Sequence, residues 1–518
     1  MPFTARNKLI ALISVQVLWG AVLFMSIKPY GMGVSRDSVE YMFTGLNLAE
    51  GRGFISFADQ PYVLWPPLYP SLLALIYLLG GQDMFISAHI LQFITFVGLS
   101  YCISRLFLHI FMGNFWLSLA GNILAATGSG LTLIFQAVGS DYLHLLLVMI
   151  SILLAMEYAR NQRRKTMMLM AVVGALAMLQ RYIGLAVIVM NGLVILIYTN
   201  GNPWTKLRSS LWAALSILPT AIWMWIVSSQ APSRFSPSSP LGNIYWFTIS
   251  VLEWFVSPAS MLAHPVRFQY ALWVPWIALA GMALIGLLIG PRHKALNGNT
   301  VPVLIFGLVY GVVLIGSASI TSFNRLDGRF IVPLYIPFIA LIALTVAILL
   351  KRINPMGLPW KRRLAQFAGV TFLFALGGLT VMRSLDLVVQ AYESTFIAGT
   401  TYNTREWNEN TALRYWEDHQ PRTAYIVFSN YNVGVAFHTW RPAYASPRRS
   451  INPDATEIFP LEGYQADLFA PGKESYLVWI EPNEYTHVYS IDELRQIVDI
   501  DVLFENKDGG VYRLRPRQ

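Results

Sequence analysis

Apolar runs of about twenty residues recur along this chain as far as residue 385, and a soluble core has no place for so many of them. They lie at 9–27, 85–107, 115–138, 142–158, 211–229, 270–290, 301–317, 331–350 and 364–385. Each is long enough to cross about 30 Å of hydrocarbon as a helix. Residues 166–198 would measure roughly 50 Å as one helix at about 1.5 Å per residue, with Arg181 at the middle. Burying that guanidinium in lipid costs several kcal/mol, so the run is predicted to be two short spans meeting at Arg181 and Tyr182. Leu68–Gly80 is too short to cross and follows Pro66 and Pro67, which predicts a helix along the interface. The count comes to about eleven spans.

Loop charge supports that count, because loops rich in Lys and Arg stay on the cytoplasmic side. With the N-terminus inside, the cytoplasmic segments contain Arg6 and Lys8, Arg105, the basic residues of 160–165, Lys206 and Arg208, Arg292 and Lys294, and those of 351–363. Together they hold about sixteen basic residues and no acid. Asp37, Glu40, Asp59, Asp141, Glu253 and Asp327 then all fall outside, as does everything after residue 385. No small-residue cleavage site follows the first run, so it is expected to stay as a signal anchor. The expected location is the plasma (inner) membrane, crossed many times, with the N-terminus cytoplasmic.

Composition agrees: 55% of residues are hydrophobic and 13% charged, against roughly 25% charged in a soluble domain. The net charge of +9 does not point to nucleic acid, because the basic residues sit in the short loops where insertion puts them. Cys102 is the single cysteine, so no intramolecular disulfide or cysteine-based metal site can form. Past residue 385 the composition changes. Charges of both signs appear, 406–416 has a helical pattern, and 424–428 alternates as a strand does. The expected fold is a polytopic α-helical membrane protein with a C-terminal soluble α/β domain outside the membrane. Residues 1–385 form the transmembrane part, with the first outer loop at 28–67 and the interfacial helix at 68–80; residues 386–518 form the extracytoplasmic domain.

The first outer loop carries Ser35-Arg-Asp-Ser-Val-Glu-Tyr41 and closes at Gly51-Arg-Gly53. Val39, Met42, Phe43 and Leu46 give it one apolar face, which predicts an amphipathic surface helix. Asp37 or Ser38 is the expected N-cap, with Glu40 in capping-box spacing to Asp37. Asp37 also suits a second role. A carboxylate at a bilayer surface can take a proton from an acceptor hydroxyl if nearby cations hold a leaving phosphate. Arg181 is one such cation, and Asn324-Arg-Leu-Asp-Gly-Arg-Phe330 adds Arg325 and Arg329 beside Asp327. Arginines near hydrocarbon need counter-charges, which a lipid phosphate or Asp327 itself could supply. Asp141, in Gly139-Ser-Asp-Tyr142, reads either as an N-cap or as a second site carboxylate, and His144 as a packed helix residue.

The order Asp37, Tyr41, Gly51-Arg-Gly53, Trp65-Pro-Pro-Leu-Tyr69, Gly139-Ser-Asp141, Arg181-Tyr-Ile-Gly184 and Arg329-Phe-Ile-Val-Pro333 resembles the GT-C class of membrane glycosyltransferases. Within that class it is most similar to the protein O-mannosyltransferase and aminoarabinose transferase (ArnT-like) superfamily. The resemblance covers most of residues 9–385. It implies inverting transfer of a sugar from a polyprenyl-phosphate donor on the outer face, in cell-envelope glycan biosynthesis, with no cofactor and no divalent metal. Asp37 matches the family's catalytic acidic position in the first outer loop and Asp141 a second acidic position near donor sugar or acceptor; Glu40, Tyr41, Tyr69, Tyr182 and Asp327 are further site candidates. Two positions depart from the pattern. Family members often have Asp-Glu where this chain has Asp37-Ser38, and the aminoarabinose transferases have Lys where it has Trp65, which leaves Arg181, Arg325 and Arg329 to hold the donor phosphate. The expected partners are membrane lipids, the lipid-linked sugar and an acceptor lipid, glycan or protein. A lipid or sugar transporter (a flippase) and a non-catalytic membrane assembly subunit are the competing classes, and both predict no glycosyl transfer.

Overall fold

The computed structural model describes residues 4–80, 83–230, 235–263, 273, 294–321, 326–353, 359–393, 402–450, 457–483 and 485–517. Apart from Trp273, the expected span at 270–290 lies outside the described residues, as does Arg325. The chain forms two compact units. One comprises Met1–Lys28, Val63–Leu72 and Ile86–Tyr392; the other comprises Pro29–Tyr62, Leu73–Phe85 and Glu393–Gln518.

The first unit is helical. Among the described residues, Ala5–Ser26, Met84–Ile110, Ser140–Asn161, Pro203–Val227 and Gly298–Ile320 are each long and apolar enough to cross a membrane. Phe115–Ala126 and Ser129–Phe135, bent by 49°, make a sixth candidate if counted as one span. The bend is built around a missing side chain. A Cβ on Gly128 would stand 2.2 Å from the ring of Tyr335, whose hydroxyl donates to the Leu124 carbonyl at 2.9 Å. Residues 166–198 break as the central arginine requires: one helix ends at Gln180, Arg181 is extended, and after a turn of 3-10 helix at Tyr182–Gly184 a second helix runs Leu185–Tyr198.

Large apolar side chains such as Leu18, Trp225 and Val312 remain exposed, as helices bathed in hydrocarbon need. Inside, polar side chains tie helix to helix. The Gln16 amide donates to Asn122 Oδ1 at 3.0 Å, the Asn122 amide to Ser104 Oγ at 3.0 Å, and Ser151 Oγ to Asn191 Oδ1 at 2.9 Å. In lipid such bonds replace the hydrophobic drive that holds soluble helices together.

The second unit contains a five-stranded sheet of β1 (Tyr425–Ser429), β2 (Tyr444–Ala445), β3 (Glu474–Ile480), β4 (Val498–Asn506) and β5 (Gly509–Pro516), in the order β2-β1-β3-β5-β4. β1 runs parallel to β2 and β3, while β3, β5 and β4 are antiparallel neighbours. One face packs Leu477, Trp479, Tyr512 and Leu514 with Leu494 and Val498. Trp416, on the helix Thr411–His419, is buried against Tyr425 and Tyr476.

This unit also includes Pro29–Tyr62, most of the first long loop. The helix Arg36–Ala49 lays Phe43 on Trp440, with the rings stacked at 5.6 Å, and edge-on to Phe57 at 6.2 Å. The Tyr402 amide donates to the Val34 carbonyl at 3.1 Å, and the Asn403 side chain donates to the Met32 carbonyl at 2.9 Å. Aromatic burial and backbone pairing together outweigh proximity in sequence.

Candidate functional site

Within the helical unit the site grows from the break at Arg181. Gly184 permits that break, because a Cβ there would lie 2.3 Å from the Ala177 carbonyl carbon. The Gly184 amide donates to the Arg181 carbonyl at 2.8 Å, and the Arg181 amide to Ala177 at 3.1 Å. The arginine is thereby held clear of both helices. Its Nη1 donates to Asp141 Oδ1 and, at 3.3 Å, to Ser140 Oγ, with both charged side chains largely enclosed. The Gln180 side chain donates to the Ser140 carbonyl at 3.0 Å and fixes the start of the partner helix Ser140–Asn161.

Asp141 is not the N-cap that it could have been. Gly139 occupies that position, and Asp141 stands in the first turn, where the helix dipole favours a carboxylate. Its side chain turns to Arg181 because a guanidinium is the stronger partner.

A second guanidinium joins through Phe330. Arg181 Cζ lies 5.2 Å from the centre of that ring and Arg329 Cζ 5.9 Å, both within cation-π range. Arg329 pairs with Asp327 at 3.3 Å in a more open setting. The Tyr310 hydroxyl donates to the Phe330 carbonyl at 2.7 Å and steadies the start of the helix Gly328–Ile353. Tyr69 completes the group. It is buried, and its hydroxyl is pushed well above the usual tyrosine range, first by that burial and then by the negative charge of Asp141, against a backbone hydrogen bond from Gly139. Tyr182 lies in the turn beside Arg181. Phe330 was visible in sequence only as part of a motif, and Tyr310 carried no signal because it sits in an apolar run.

The remaining candidates belong to the other unit, on Arg36–Ala49. Neither Asp37 nor Ser38 caps this helix; Ser35 does, with Ser38 reciprocating from the third helical position. Ser35 is extended, with φ −99° and ψ 176°, so its hydroxyl reaches the free amides first. The expected Asp37 to Glu40 capping box does not form, since Glu40 lies a turn inside the helix. Asp37 keeps a place in the first turn. Glu40 is 7% exposed, and its carboxyl is pushed up to about 7, mainly by burial and further by Asp37, with Arg36 opposing. Among the described residues its buried Oε2 has no hydrogen-bond partner, which a neutral acid tolerates and a carboxylate does not. Tyr41, next in line, is also buried.

Neither a family model nor a curated protein sequence matches the chain. Its fold does match solved structures. The chain is similar to ArnT from Cupriavidus metallidurans in the apo state, with TM-score 0.59, 13% identity and 98% of each chain covered. The same protein bound to undecaprenyl phosphate gives TM-score 0.60 at 13% identity and the same coverage. The archaeal oligosaccharyltransferase AglB from Archaeoglobus fulgidus, in complex with an inhibitory peptide and a dolichol-phosphate, gives TM-score 0.54 and 11% identity over 98% of this chain and 74% of that one. The mycobacterial arabinofuranosyltransferase AftD gives TM-score 0.55 and 14% identity over all of this chain and 40% of that one. The chain shares its fold with these solved structures.

Proposed function

We propose that this protein is a membrane glycosyltransferase that moves a sugar from a polyprenyl-phosphate-linked donor to an acceptor hydroxyl on the outer face of the membrane. The observation that carries the reading is the pair of guanidiniums, Arg181 and Arg329, gathered on Phe330 in a fold shared with proteins seen holding lipid phosphates. A phosphate monoester is a poor leaving group unless its developing charge is met, and fixed guanidiniums do that better than water. Arg325, from the same sequence motif 324–330, is proposed to join them.

The reaction needs a base as well as a charge sink. Asp37 accepts the proton of the acceptor hydroxyl as that oxygen bonds to the anomeric carbon. The bond from anomeric carbon to phosphate oxygen breaks, and its electron pair leaves on polyprenyl phosphate. Attack opposite the leaving group inverts the anomeric centre. Asp141 stands toward donor sugar or acceptor, and no metal takes part in these steps. Glu40 and Tyr41 support Asp37 within its own unit, and Tyr69, Tyr182 and Asp327 support the arginines within theirs.

A glycosyl-transfer assay in detergent with polyprenyl-phosphate sugars tests the proposal. Transfer by the wild-type protein, reduced about tenfold or more in donor affinity by Arg181→Ala or Arg329→Ala, is the expected result. No transfer with any lipid-phosphate sugar returns the chain to the transporter or assembly-subunit classes.

A further inference from the structure

The guanidinium assigned to the donor phosphate is already occupied. Asp141 holds Arg181 from the start of its helix, the side chains are 19% exposed on the arginine and 15% on the aspartate, and Phe330 covers the guanidinium face. An anion that comes to Arg181 therefore meets a competitor built into the chain. We propose that Asp141 is a place-holding counter-ion: the headgroup of a polyprenyl phosphate displaces it from Arg181, and it reclaims the arginine as that headgroup departs. The inference rests on the reading that Arg181 binds the lipid phosphate.

The charges give the exchange a direction. A guanidinium withdrawn from water and left without an anion pays a desolvation penalty, so the empty site needs an internal partner. A sugar-linked polyprenyl phosphate is a phosphodiester with one negative charge, the same as a carboxylate, and exchange between them is nearly even. After transfer the leaving lipid is a phosphomonoester carrying up to two, which holds Arg181 harder than the donor did. The product is therefore the species that must be evicted. A carboxylate fixed one side chain away acts at high effective concentration and speeds that release.

The local architecture suits a partner that leaves and returns. Gln180 pins the Ser140 carbonyl at 3.0 Å and Ser140 Oγ stays 3.3 Å from Arg181 Nη1, so the helix start keeps its position while the carboxylate swings. Asp327 does not offer the same service to Arg329. That pair is 3.3 Å apart with side chains 28% and 44% exposed, and water screens it.

The full-length protein in detergent, titrated with farnesyl phosphate, tests the exchange in wild type, Asp141→Asn, Asp141→Ser, Arg181→Ala and the double variant Asp141→Asn/Arg181→Ala. Both Asp141 variants are expected to bind farnesyl phosphate about fivefold or more tightly than wild type. Arg181→Ala binds more weakly, and the double variant binds no better than Arg181→Ala. Asp141→Ser serves if Asp141→Asn does not fold, since serine is well tolerated at a helix start. Unchanged or weaker binding by the Asp141 variants, with Arg181→Ala still impaired, overturns the place-holder. Normal binding by Arg181→Ala overturns the phosphate assignment beneath it. Inorganic phosphate at equal concentration should fail to compete, and competition as strong as that of farnesyl phosphate would remove the lipid headgroup from the proposal.

Discussion

Ser35 and Ser38 cap one helix reciprocally: the Ser35 hydroxyl accepts the Ser38 amide at 3.3 Å, and Ser38 Oγ accepts the Ser35 amide at 2.9 Å. Asp37, between them, is therefore not needed to close the helix. That separates its two possible roles.

Asp37→Asn is expected to leave the thermal midpoint of the purified protein within a degree or two, about the effect of a surface change. Transfer should fall by about a hundredfold or more, the usual worth of a positioned base. Ser35→Ala should do the opposite, costing about 1 kcal/mol of stability while the protein that remains folded keeps its chemistry. Near-normal turnover by Asp37→Asn would move the base elsewhere, with Asp141 the next carboxylate to test.

Glu40 makes stability depend on pH in an unusual direction for a carboxyl group. Its folded value of about 7 lies above the ordinary 4.5, so between those limits the folded state binds more protons than the unfolded one. Its stabilising contribution is complete below about pH 4.5 and is lost as pH rises through about 7. Glu40→Gln should remove this slope and raise stability at pH 8, by at most on the order of 3 kcal/mol. Thermal melts of both proteins across pH 4.5 to 8 decide it, and parallel curves would show that Glu40 is ionised throughout.

Gly184→Ala tests the break that frees Arg181. The added Cβ would meet the Ala177 backbone at 2.3 Å, so either the turn or the helix end must shift. A loss of about 1–3 kcal/mol in stability is expected, as for other overpacked sites. Farnesyl phosphate binding should weaken with it, and a fully stable variant with intact binding would mean that the break has another cause.

Orientation is read from loop charge, and reporter fusions check it. Fusions after Gly357 and after Ser450 are expected to report opposite compartments, the first cytoplasmic and the second outside. Matching signals would sink the about eleven-span arrangement.

What the sequence made legible was whatever lipid enforces locally. Arg181 announced the break in 166–198, because a buried guanidinium is too costly for one straight helix. The strand at Tyr425–Ser429 was visible in its alternation, and the helical pattern of 406–416 resolved into Arg405–Glu409 and Thr411–His419. The cap was misread, since Ser35, Asp37 and Ser38 are all good cap residues and only backbone geometry chooses among them. The company of the first loop was illegible for a different reason. Phe43 finds Trp440 across most of the chain, and such contacts leave no periodic trace. Tyr310 and Phe330 likewise took on meaning only when folding brought them to Arg181.

The stacking of Phe43 on Trp440 ties the helix Arg36–Ala49 to residues that are synthesised long after it. Until those residues emerge, that helix lacks the surface that orders it.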